Sequence, residues 1–206
     1  MEGMDPTQDE LFLDAMSEAG NMGAGHASSA LSGFIGLDVL ISVTDCRICP
    51  PHEAMHVFDD LEEVIVSVHL EASGAEKGEM LIFFSFELAM LISERVLSSK
   101  KKESLYAFDD DDREAVAEAG NICASAYLNA LAKLLDNIML PSPPEVRIGQ
   151  VSALFDHGIT FPTESVILMT TDINVQGKSF VGLFLYFPDA ASQQAVLTKF
   201  GVSGKK

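Results

Sequence analysis

LDAMSEAGNMGAGHASSALSGF (residues 13–34) contains the word Glu18-Ala19-Gly20-Asn21, and DREAVAEAGNICASAYLNALAKLL (112–135) contains it again as Glu118-Ala119-Gly120-Asn121. Downstream of each copy the chain repeats its order of elements. VLISVTDCRI near Val39 answers VRIGQVSALF near Val146, EVIVSVHLEAS near Val64 answers ESVILMTTDINV near Val166, and GEMLIFFSFELAMLISERVL answers KSFVGLFLYFPDAASQQAVL. Each half reads as a long helix, three short strands rich in Val, Ile and Phe, and a shorter helix. EASGAEKGE and NVQGK separate strand pairs in the way hairpin turns do. Two such αβββα halves are expected to pair their strands into one antiparallel sheet covered by helices: an α+β fold with a pseudo-two-fold axis. The expected organisation is a single domain over residues 1–206, with repeat halves at about 9–98 and 109–203 and a linker at about 99–108.

Composition bounds the class. The chain has 206 residues, 48% hydrophobic and 21% charged, enough to bury a full core. With 31 acidic and 13 basic side chains its formal charge is −18, which repels phosphate backbones and makes nucleic acid a poor partner. That surface suits basic docking patches or a salt-rich cytoplasm. The acidic start MEGMDPTQDE has no apolar core and does not read as a signal peptide. The run MLIFFSFELAMLI (80–92) is broken by Glu87 and too short to span a bilayer. Three cysteines make no disulfide framework, so a cytoplasmic location is expected.

The repeated word is costly where it stands. Asn is disfavoured inside a helix, and Gly costs ~1 kcal/mol relative to Ala. At 100° per residue Asp14, Glu18 and Asn21 project within about 60° of one another, as do Glu114, Glu118 and Asn121. Each trio forms a polar stripe expected to face solvent. The opposite face of the second helix carries Val116, Cys123, Tyr127, Ala130, Leu131 and Leu134, apolar enough to pack on the sheet. Solvation alone would be better served by Lys or Gln than by this acid and amide, kept twice.

A carboxylate and a carboxamide make no nucleophile, and no Ser, Cys or Lys nearby has an obvious base. There is no phosphate-binding G-x-x-x-x-G-K-[ST] loop and no G-x-S-x-G elbow. An amide can hold a water by donating and accepting at once, and amides that orient an attacking water are a recognised part of phosphoryl transfer. A neighbouring carboxylate can grip a cation on the substrate molecule and fix its approach. Such a site is half a site, with the phosphate, metal and lysine supplied by a partner.

On these residues the sequence resembles the CheC family of chemotaxis phosphatases, relatives of CheX and of the flagellar-switch phosphatases. The family signature is Asp or Ser, then Glu four residues on, Asn three beyond it, and a later Pro. Asp14, Glu18 and Asn21 match it in the first copy; Glu118, Asn121 and Pro144 match it in the second. Thr44 stands where the first copy would carry Pro, and Glu114 stands where the second would carry Asp or Ser. The resemblance implies dephosphorylation of the response regulator CheY. Glu18 or Glu118 would bind the regulator's lysine, and Asn21 or Asn121 would align water in line with phosphorus. The resemblance implies no cofactor of the chain's own, Mg²⁺ coming with the phosphorylated regulator. It also implies contact with the deamidase CheD, placed on the short helices such as 87–97, and a monomer or a heterodimer with CheD. A non-catalytic protein that sequesters phosphorylated CheY or holds CheD is the alternative; a flagellar-switch component is a third.

Other signals have blander readings. Cys46-x-x-Cys49 with His52 and His56 has zinc-ligand types, but on a strand positions 46 and 49 point to opposite faces. Asp109 to Asp112 are expected to cap the second helix and oppose its dipole rather than bind metal. Cys123 and Met80, Met90 and Met139 read as core, His26 as a polar surface position, and Lys100 to Lys102 as solvated linker.

Overall fold

The computed structural model describes residues 6–74, 77–98, 108–158, 166–192 and 198. Helix α1 (Pro6–Ile35) leads into strand β1 (Val39–Cys49), a 3₁₀ segment (Pro51–Val57), the hairpin β2 (Val64–Gly74) and β3 (Gly78–Ser85), and helix α2 (Phe86–Val96). Helix α3 (Asp110–Leu135) opens the second half, followed by β4 (Met139–Pro141), β5 (Glu145–Gln150), a short helical connection (Val151–Ala153, Leu154–Gly158), and the hairpin β6 (Val166–Val175) and β7 (Lys178–Pro188). The expected linker lies outside the described residues except for Phe108, which is buried with its ring 5.6 Å from that of Phe86. Lys100 to Lys102 lie outside them too. Of the second half's closing helix only the start is described: the Ser192 amide donates to the Asp189 carboxylate at 2.7 Å, a cap.

The seven strands form one antiparallel sheet in the order β1-β6-β7-β3-β2, with β4 and β5 both pairing β2 at the far edge. Each half thus gives its first strand to the other half's hairpin. One row of paired residues crosses six strands: Cys46, Met169, Phe184, Ile82, Val68 and Val146. It reads equivalently from either end, with the centre of pseudo-symmetry at the Ile82–Phe184 pair.

The first strand's counterpart differs from the sequence alignment. Val39–Cys49 corresponds to 139–150, not to VRIGQVSALF, whose second part is helical. β1 slips register by one residue between Val43 and Asp45, around Thr44. On the other edge the same one-residue slip falls between Pro141 and Glu145, where Pro144 has no N–H to give and the strand breaks. Thr44, with a hydroxyl donating to the Thr170 carbonyl at 3.1 Å, bulges without breaking.

The two outer edges are blunted by different means. At β1 the amides of Val39 and Ile41 point to α1 and donate to Ser32 Oγ and Ser28 Oγ at 2.9 and 2.8 Å. At β4 and β5 prolines do it. The serine tethers also fix the roll of α1, because Ser28 and Ser32 donate back to their own helix at Ala24 and Ser28.

Both sheet faces are covered. α1, α2 and α3 bury one face against a core that includes Leu31, Val68, Phe84, Leu88 and Leu128. The 3₁₀ segment and the 151–158 connection cover part of the other, where the Phe83 and Phe155 rings stack at 5.2 Å. Each such fully buried large apolar side chain contributes roughly 1.5–3 kcal/mol. Among the described residues no helix is long and apolar enough to cross a membrane.

Candidate active site

The buried positions of α1 run Ala15, Met16, Ala19, Gly20, Gly23, Ala24, Ala27, Ser28, Leu31 and Ile35, a 3–4 spacing that defines one inward face. Asp14, Glu18 and Asn21 lie opposite it and are exposed. On α3 the inward face includes Val116, Ala119, Gly120, Cys123, Tyr127 and Leu131; Glu114 and Glu118 are exposed and Asn121 is half-buried. Among the described residues none of these six side chains has an intramolecular hydrogen-bond or ionic partner. An uncommitted carboxylate next to an uncommitted amide is free to bind another molecule.

The glycines of the repeated word explain how the stripes are seated. A Cβ on Gly120 would lie 2.6, 2.8 and 2.9 Å from Val68 Cγ1, Cβ and Cγ2. A Cβ on Gly20 would lie 2.8 Å from Met169 Sδ and 3.4 Å from Val43 Cγ2. Each helix therefore rests its backbone directly on a sheet side chain at the turn that carries Glu and Asn. Val68 and Met169 occupy equivalent places in the central row, three strand spacings apart, which sets the two EAGN turns about 14 Å from each other across the sheet. Val43 adjoins the bulge at Thr44, so this irregularity lies beside the first turn. Pro144, half-buried, occupies the equivalent interruption in the second half.

The acid run before α3 is structural. Asp109 is the N-cap and forms a capping box with Asp112: Asp109 Oδ1 accepts from the Asp112 amide at 3.2 Å, and Asp112 Oδ2 accepts from the Asp109 amide at 2.7 Å. Asp112 is fully buried and also accepts from the Ser93 hydroxyl of α2, tying α2 to the start of α3. Cys46 packs into the helix-side core and Cys49 into the opposite one, so their thiols do not converge, and His52 and His56 are exposed. His26 is exposed on α1. Among the described residues no three His, Cys, Asp or Glu side chains form a metal site.

Burial pushes the Cys46 thiol up to about 11, with Asp45 adding to the rise, and the Cys123 thiol up to about 12, from an ordinary 9.0. Both thiols stay protonated in the folded chain at pH 9 to 10 while the unfolded chain ionises. Stability is therefore fully present below pH 9 and falls as pH rises from 9 towards 12. The two buried thiols, Cys49 and Cys123, should react with a thiol reagent at pH 8 at least about tenfold more slowly in buffer than in urea. Equal rates in the two solvents would contradict this burial.

Comparison with known proteins adds the following. The CheC-like family model matches residues 12–43 and 113–148, the two long helices with their first strands. The chain is 28% identical over 200 residues to the CheY-P phosphatase CheC of Bacillus subtilis (strain 168), covering 94% of this chain and 96% of that protein. Its fold matches the crystal structure of Thermotoga maritima FliY with a TM-score of 0.74 and 21% identity, over 96% of this chain and 98% of that one. It also matches the FliM middle domain from H. pylori with a TM-score of 0.64 and 12% identity, over 95% and 99%.

Proposed function

We propose that this chain, CheC-like in sequence, is a hydrolase that removes the aspartyl phosphate of a phosphorylated CheY-type response regulator. A 28% identical relative named CheY-P phosphatase supports the reaction class. The observation that carries the reading is the exposed, unpartnered Glu18–Asn21 pair on α1, with Glu118–Asn121 at the equivalent place on α3. Glu18 or Glu118 grips the regulator's active-site lysine, and the amide of Asn21 or Asn121 holds a water in line with phosphorus. The water oxygen bonds to phosphorus as the acyl O–P bond breaks, leaving inorganic phosphate and a free Asp carboxylate on the regulator. The metal that neutralises the phosphoryl oxygens belongs to the regulator. Asp14, Glu114 and Pro144 support docking. CheD contact on α2 belongs to the same reading.

Turnover is the test. Substoichiometric chain mixed with a large excess of phosphorylated regulator should clear all of it at a rate proportional to chain concentration. A protein that only sequesters the phosphorylated form would protect an amount limited by its own concentration and release no extra phosphate. That result would replace the enzyme reading with the adaptor one.

A further inference from the structure

The two stripes are seated on different materials. α3 rests at Gly120 on Val68, a stiff β-branched side chain within the sheet. α1 rests at Gly20 on the thioether of Met169, the flexible end of a long side chain. Besides the serine tethers to β1, α1 is held by its contact with α3. A Cβ on Gly23 would lie 2.6 Å from Tyr127 Cδ1 and 2.9 Å from its Cα, so the α1 backbone lies against the ring two residues after Asn21. The same ring packs tilted on Phe184, centroids 4.3 Å apart, in the central row of the sheet. Cavities of about 20 Å³ flank the ring, one lined by Met16, Gly20 and Met169, the other by Cys123 and Thr171. By the hundred-residue offset the equivalent of Tyr127 is Ala27 and that of Gly23 is Cys123, so the wedge is present on one side only.

We infer that Tyr127, on the second helix, is a positioning residue for Asn21 and not for Asn121. It acts as a spacer that sets the height of α1 at the first stripe, N-terminal to the Ser28 and Ser32 tethers that fix the helix's roll. This rests on the function proposed above. A stable protein partner covers roughly 800 Å² per side, far more than one helical stripe, so it seats on neighbouring surface as well. The angle of Asn21 relative to that surface then decides whether water is in line.

The test uses the full chain in two backgrounds. Asn121→Ala leaves only the first site, and Asn21→Ala only the second. Tyr127→Leu should lower kcat through the first site about tenfold and through the second less than about threefold, with KM little changed. Tyr127→Phe, which keeps the ring, should retain the first site's rate within about twofold. Gly23→Ala should mimic the loss by pushing the helix off the ring, and Gly23→Ala with Tyr127→Leu should recover part of it. Equal losses in both backgrounds, tracking a lowered Tm, would reduce Tyr127 to a core residue and overturn the inference. A second readout needs no substrate. In ¹⁵N spectra Tyr127→Leu should shift the Asn21 carboxamide and its neighbouring amides more than those of Asn121. If wild type shows no turnover, the proposed function fails, and this comparison still decides the inference: shifts equal at both asparagines overturn it.

Discussion

The Asn21→Ala, Asn121→Ala double variant should melt like the wild type and leave the phosphorylated regulator to decay at its own rate. Among the described residues neither amide has a hydrogen-bond partner and neither side chain is fully buried, so their loss has little to act on in the fold. Their loss removes the only groups on the two stripes that can donate to and accept from one water at once. A positioned donor at the reacting centre is worth about a hundredfold or more in rate. Single variants separate the sites: each should leave the other stripe's contribution intact, because the two turns sit about 14 Å apart over different strands. Asn121 is half-buried where Asn21 is exposed, so the first site should carry the larger share. Hydrolysis at the wild-type rate in the double variant would end the reading, and a residual rate divided between Glu18→Ala and Glu118→Ala would assign it to docking alone.

The outward stripe was legible in the sequence because helical period is local: three residues at offsets of four and seven need no knowledge of what lies beneath them. The hairpins were legible for the same reason. The first strand of the second half was legible only over Val146 to Gln150. In LPSPPE (140–145) the prolines give no ladder hydrogen bond and hide the strand, yet Met139–Pro141 and Glu145–Gln150 both pair with β2. The helical 151–158 connection was hidden because VSALF is apolar enough to pass for a buried strand, and its helical form follows from Leu154 and Phe155 packing on the sheet's second face. The exchange of first strands between halves is set by long-range pairing, on which periodicity is silent. Gly20 and Gly120 stood out as misfits. Which side chains they touch depended on the register of β2 and β6.

That distinction gives the second large effect, a series of glycine-to-alanine changes on the same two helices. Gly25→Ala should stabilise the protein by about 0.5–1 kcal/mol, because nothing lies within 4 Å of the new methyl and alanine is the better helix former. Gly120→Ala should destabilise it by about 2–3 kcal/mol. Its methyl would meet Val68 at three atoms inside van der Waals contact, one of them Cβ, and Val68 is fully buried and stiff at χ1. For a chain of this size that corresponds to a fall of about 5–10 °C in Tm. Gly20→Ala should fall between them, since its clash is with a sulfur that swings aside and with Val43 only at 3.4 Å. Adding Val68→Ala to Gly120→Ala should return part of the loss, a coupling that distant, independent sites would not show. The order, more than any single value, tests the seating of the helices. If Gly25→Ala and Gly120→Ala shift Tm by the same amount in the same direction, propensity alone governs these positions and the EAGN turns do not rest on the sheet as described.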